Sequence, residues 1–359
     1  MNYINAWPVW LVIALALPAQ VRAQLAWDAE RWTIEARESA IERYMGREGL
    51  SLNSGVAWLE GVELRNGIIE FDLAAKDQLG FYGIAFRAAD ADDYEHFYLR
   101  PFQSGRPDAT QYTPVYNGVS GWQVYTGPRH GLAVPIATDR WVHVRMVVRE
   151  TRLEVEVDGE LLVFPDLHRP VRAGGVGITS AGAPAHFANV VVTPLESPPV
   201  TGAPGADAPE PIPGLLTEWR VSSRFAEGRL DPAADLEPGE WDGLTWTSAS
   251  PAFNGIVDLA RYAVRTPEAN TVFAVATVEA RQAGPVHFRF GFSDRAVVYL
   301  NGRPIYRGRA EWRLRDHRFL GTVGLFDELI LRLEAGENEI RVAVSEDFGG
   351  WGVVAALTR

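Results

Sequence analysis

Residues 80–100 read GFYGIAFRAADADDYEHFYLR. In the first nine, Tyr82, Ile84 and Phe86 fall on one side of an extended chain, and Gly83, Ala85 and Arg87 on the other. The last six repeat the pattern, with Phe97 and Leu99 on one side and His96, Tyr98 and Arg100 opposite. A period of two marks a strand with one face buried. Between the runs, ADADDYE (89–95) is rich in aspartates that favour a turn. The segment therefore predicts an antiparallel hairpin.

The same pattern extends outward. WVHVRMVV (141–148) puts Val142, Val144, Met146 and Val148 on one face. LEVEVDGELLVF (153–164) alternates Leu153, Val155 and Val157 against Glu154, Glu156 and Asp158, and these acids are expected in solvent. Its Asp158-Gly159 step suits a tight turn that needs positive φ twice. Further on, HFRFGFSD (287–294) aligns Phe288, Phe290 and Phe292, AVVYLNGRPIY (296–306) turns at Asn301-Gly302, and ELILRLEAGENEIRVAVSE (328–346) reads as two strands around AGEN. Only IEARESAIERYMG, near residue 40, offers a helical pattern.

Residues 194–214, PLESPPVTGAPGADAPEPIPG, hold seven prolines and three glycines. Such a segment is neither helix nor central strand. At 359 residues the chain suits two domains, expected at 24–193 and 215–359 with 194–214 as linker. The fold class expected is all-β: two antiparallel β-sandwich (jelly-roll) domains joined by a Pro-rich linker.

Residues 6–17, AWPVWLVIALAL, followed by Pro18 and VRA before Gln24, have the layout of a secretory signal peptide over residues 1–23. No later stretch is apolar enough to span a membrane. An exported protein, periplasmic or extracellular, is expected. The chain has no cysteine, which excludes disulfides, thiolate catalysis and cysteine-ligated metals. Net charge is −12, and Lys76 is the one lysine among 34 basic residues. An acidic chain without a long basic block is a poor nucleic-acid partner.

Residues 80–100 resemble the central hairpin of concanavalin A-like (laminin G-like) lectin and glucanase domains. WVHVRMVVRETRLEVEVDGELL resembles that family's W-x-x-V-R strand and V-D-G hairpin, and GGVGITSAGAPAHFANVVV its closing strand. FGFSDRAVVYLNGRPIY through GENEIRVAVSEDFGGWGV resembles galactose-binding-like jelly-roll modules. The resemblance implies a sheet face carrying a carbohydrate site.

YEHFYLRPFQSGRPDATQYTPVYNGVSGWQVY (94–125) supplies candidates for that site. Sugar rings stack their C–H faces on aromatics, and planar polar side chains match their hydroxyls. Arg87, His96, Tyr98, Arg100, Gln111, Tyr116, Asn117, Trp122 and Gln123 form the candidate carbohydrate set. Tyr and Trp also serve in β-sandwich cores with their polar tips outward. Asp90, Asp92 and Asp93 could hold calcium or form a solvated turn; no other cofactor is expected.

Catalytic patterns are sparse. Glucanases of the resembled family carry E-x-D-x-E or E-x-D-x-x-E on one strand. Here Glu70 and Asp72 are followed by Ala74 and Ala75 where the second glutamate would fall. Non-catalytic carbohydrate binding is the expectation, with a glycoside hydrolase of unusual catalytic set and a protein-interaction module as alternatives.

Overall fold

The computed structural model describes residues 25–28, 30–252, 254–316 and 319–358. The signal-peptide expectation lies outside them. The chain is all-β. Its first half holds β1 (Trp32–Tyr44), β2 (Arg47–Leu59), β3 (Gly67–Ala75), β4 (Gly80–Ala88), β5 (Tyr94–Leu99), β6 (Thr110–Tyr116), β7 (Val119–Ser120), β8 (Val142–Arg149), β9 (Arg152–Val157), β10 (Glu160–Phe164), β11 (Gly175–Gly182) and β12 (Ala185–Pro194). They form one antiparallel sheet in the order β10-β9-β8-β3-β12-β2-β11-β4-β5-β6-β7, with β1 alongside β2.

That sheet curls until its ends face each other. Phe164 of β10 reaches Phe97 of β5, ring centroids 5.5 Å apart. Tyr82, Ile84, Phe86, Phe97 and Leu99 fill the enclosed core with Phe71, Val144 and Val155, as the alternation predicts. Deleting a phenylalanine from such a seat costs about 3–5 kcal/mol.

The second half comprises β13 (Trp219–Ser222), β14 (Trp246–Ala249), β15 (Val257–Asp258), β16 (Thr271–Ala280), β17 (Gly284–Ser293), β18 (Arg295–Leu300), β19 (Arg303–Arg309), β20 (Asp327–Leu333), β21 (Gly336–Ser345) and β22 (Gly352–Thr358). A six-stranded sheet, β14-β13-β16-β21-β18-β19, faces a four-stranded one, β15-β22-β17-β20. Phe288, Phe290 and Phe292 meet Val298, Val342 and Val344 between them.

Two expectations are corrected. IEARESAIERYMG is extended: Met45 and Gly46 take φ of 42° and 81° and turn β1 back along β2. Helix propensity is a weak local preference, and here pairing with a strand that carries core residues Leu50, Leu52 and Leu59 overrides it. Glu154 is not in solvent; it is 2% exposed. The proline-rich segment folds back over it, and the N–H groups of Thr201 and Gly202 donate to its carboxylate at 2.9 and 3.0 Å. Arg152 donates to Glu154 at 2.7 Å and to the Gly202 carbonyl at 2.8 Å.

The halves meet along residues 116–125. Asn117 Nδ2 donates to the Ala260 carbonyl at 2.7 Å. Gln123 Nε2 donates to the Leu320 carbonyl at 2.7 Å, and Asn254 Nδ2 to that of Val124 at 2.7 Å. Val124 and Tyr125 pack with Ile256, Val323 and Val354.

Candidate functional site

The outer face of β2, β11, β4 and β5 carries a row of rings. Trp58 lies 6.0 Å from Tyr94, Tyr94 is 5.7 Å from His96, and His96 is 4.9 Å from Tyr98. Tyr98 lies 5.8 Å from Phe81, which is 5.8 Å from Phe102. Tyr98 is buried, whereas Trp58, Phe81, Tyr94, His96 and Phe102 are half-buried. Register builds this row. Gly83 pairs with Tyr98 and Thr179, and Ala85 with His96 and Gly177. Small residues thus lie under the large ones. His96 Nε2 spans them to Thr179 Oγ1 at 2.8 Å. Burial pushes its pKa down to about 3, so the imidazole is neutral and offers one donor and one acceptor.

At one end of the row, Arg100 packs its guanidinium 5.5 Å from the Phe81 centroid and 5.1 Å from that of Tyr98. Its Nη2 donates to Tyr98 Oη at 3.1 Å and to Gln111 Oε1. Gln111 Nε2 donates to the carbonyls of Trp122 and Tyr125, each at 2.9 Å. The structure therefore joins His96, Tyr98, Arg100, Gln111 and Trp122.

The other candidates lie elsewhere. Arg87 is turned inward, where Nε donates to the Arg65 carbonyl at 2.7 Å and Nη2 to Asn66 Oδ1 at 3.1 Å. A register shift between Gly175 and Gly177 on the paired strand, with φ of 51° at Arg87, breaks the alternation that predicted an outward side chain. Asn117 and Gln123 are held in the junction between the halves. Tyr116 donates to the His168 carbonyl at 3.0 Å and lies under Arg169 and Arg261.

Asp90, Asp92 and Asp93, offered either as calcium ligands or as a solvated turn, do not converge on one point. Asp93 pairs with Arg169 at 2.7 Å, and Asp90 Oδ1 accepts from the Asp92 N–H at 2.9 Å. Among the described residues no three Asp, Glu or His side chains group as a metal site. The solvated turn describes Asp90 and Asp92, and an ion pair Asp93.

Sequence reading missed two features. The first is the outward placement of Trp58 and Phe81. The second lies on β3, where Asp72 accepts from His143 Nδ1 at 2.8 Å and also from Arg47 and Asn189. Trp141 lies under Arg47, 5.3 Å away. Both Asp72 oxygens are thereby engaged, and Ala74 and Ala75 are buried on the same strand. Glu95, beside the ring row in sequence, faces inward to Tyr112 at 2.7 Å, and burial raises its pKa.

The junction is polar inside. Tyr125 Oη donates to Asp258 at 3.0 Å, and burial pushes that carboxyl up to about 6. The Nε2 atoms of His130 and His168 approach to 2.7 Å. Burial lowers the two imidazoles to about 4 and about 3, so both are neutral and one donates to the other.

No family model matches the chain, and no curated protein does. Among solved structures, a carbohydrate-binding module from Bacillus subtilis aligns with 18% identity over 45% of this chain and 94% of its own, TM-score 0.35. A Bacillus licheniformis beta-glucanase aligns with 13% identity over 47% and 93%, TM-score 0.35. A family 35 carbohydrate-binding module from an environmental isolate aligns with 18% identity over 25% and 67%, TM-score 0.19.

Proposed function

We propose that the chain binds carbohydrate on the outer face of β2, β11, β4 and β5 without cleaving it. The observation that carries this reading is the row from Trp58 through Tyr94, His96 and Tyr98 to Phe81, with successive centroids 4.9–6.0 Å apart. Half-buried rings kept at a surface leave apolar area in water, and a contiguous patch of them marks an interaction site. Beside the rings stand His96, Thr179 and Arg100, whose polar groups match hydroxyls. A shallow face of this mixture suits a sugar chain, which is apolar on its C–H faces and polar at its edges.

Non-catalytic binding is favoured over hydrolysis by the carboxylates. Both Asp72 oxygens are engaged by Arg47, His143 and Asn189, and Glu95 faces the interior. Retaining hydrolysis needs two carboxylates about 5–5.5 Å apart, flanking the scissile bond, and the ring row holds no such pair.

Calorimetric titration of the full chain against plant, algal and bacterial glycans tests this. Trp58→Ala and Phe81→Ala should each weaken binding roughly tenfold, about 1.4 kcal/mol. Tyr116→Phe, in the junction, should leave affinity unchanged. New reducing ends appearing on the bound glycan would replace the binder with a hydrolase. Full affinity in both ring variants would remove the face from the reading.

A further inference from the structure

The ring row ends at Arg100, and Arg100 also lines a second feature. Where the halves meet they enclose a cleft of about 310 Å³, walled by Arg100, Asp108, Gln111 and Trp122 from the first half and by Leu320 and Thr322 from the second. That volume is near the lower bound of small-ligand sites, about 300 Å³, and suits one sugar ring better than a whole oligosaccharide. Arg100 is 6% exposed, and its buried Nε has no hydrogen-bond partner.

The cleft opens beside a second row of rings. Trp122 stands 6.1 Å from Phe348, and Phe348 stands 6.0 Å from Trp312. The Arg313 guanidinium lies 4.3 Å from the Trp312 centroid. Phe348 and Trp312 are 60% and 42% exposed. The row is held in place, because the Phe348 N–H donates to Asp294 at 3.1 Å and the Trp122 carbonyl accepts from Gln111 at 2.9 Å. Rings kept in water by a fixed backbone are preorganised for a ligand.

We propose that this cleft and the Trp122–Phe348–Trp312 row form a second subsite, so that one oligosaccharide runs from the ring row over Arg100 and onto the second half. This extends the carbohydrate reading and rests on it. The ligand is a neutral sugar chain: Asp108 lies 3.6 Å from Arg100 and offsets its charge. Trp122 and Phe348 stack the C–H faces of the chain, while Arg100, Asp108 and Thr322 meet its hydroxyls. Joining two weak subsites through one ligand raises affinity steeply once the chain is long enough to reach both.

The test is calorimetry of the full chain with a length series of one neutral glycan. The Phe348→Ala/Trp312→Ala double variant should bind the longest members roughly tenfold more weakly and the shortest members as wild type does. Trp58→Ala should weaken the whole series. Both rings of the double variant are exposed, and an unchanged melting temperature shows that it folds. If the double variant binds every length normally while Trp58→Ala does not, the second subsite is wrong and the ring row stands. If neither substitution alters binding, both readings fall. Tighter binding of acidic than neutral chains would overturn the ligand class. If no glycan binds and the same rings capture a protein, the row is a protein-docking surface instead.

Discussion

The Gly350 N–H donates to Gln123 Oε1 at 2.7 Å, across 227 positions of chain. The same side chain donates to the Leu320 carbonyl at 2.7 Å. One buried amide thus satisfies a backbone donor and a backbone acceptor of the opposite half.

Gln123→Ala should therefore cost more than an ordinary polar truncation. It leaves a buried N–H and a half-buried C=O without partners, a penalty of about 1–3 kcal/mol. Gln103→Ala, in a short 3-10 turn where the side chain meets only exposed Arg106, should stay within about 0.5 kcal/mol of wild type. Denaturant melts of the two variants check the contrast. Equal stabilities would mean that water replaces the Gln123 amide in the junction.

Glu346 predicts a pH effect. It is 0% exposed, and burial, reinforced by the charge of nearby Asp294, raises its carboxyl well above the ordinary 4.5. The folded chain therefore keeps a proton that the unfolded chain releases above 4.5, and this group's contribution to stability falls as pH rises from there. Glu346→Gln removes that loss. Its melting temperature should exceed wild type by a few degrees at pH 7.5, about 2–4 °C for each kcal/mol recovered, and match it near pH 4. A variant less stable than wild type at pH 7.5 would show that the carboxylate is favourably held as an ion.

Arg152 and Glu154 bind residues 201–204 through their backbone. Limited proteolysis of the native chain should first cut within 207–213. In Arg152→Ala/Glu154→Ala the first cut should extend upstream into 200–206, read by intact mass of the fragments. An unmoved cut would mean that the two side chains do not restrain the segment. A first cut within 60–190 would break the assignment of that region as a packed sandwich.

The strand phases were legible because burial on one face imposes a period of two. Tyr82, Ile84, Phe86, Phe97 and Leu99 all lie in the core, and the positive φ at Asp158-Gly159 and Asn301-Gly302 agrees with their turns. Alternation says which residues leave their own core but not what covers them afterwards. Asn117 and Gln123 look like groove residues because their partners, Ala260 and Gly350, lie more than a hundred positions away. Glu154 was misread for the same reason. Asp72 draws its partners from three other places in the chain, which no local pattern encodes. Trp58 was within reach: in GVAWLEG, Ala57 and Leu59 take the core phase and leave the indole outward.

The pinned proline-rich segment also sets the geometry of reassociation. The Arg129 guanidinium holds the carbonyl of Ala206, and the Gly214 carbonyl accepts from the Leu357 N–H at 2.8 Å. Only residues 207–213 remain as slack between the two anchor points, a reach on the order of 25 Å when fully extended. Were the junction at Gln123 to open, neither half could diffuse far from the other. A tether so short keeps the local concentration of each half at the other's surface in the millimolar range or above. Opening is then a transient gape rather than a separation, and a ligand held by one half is met again by the other within the reach of that tether.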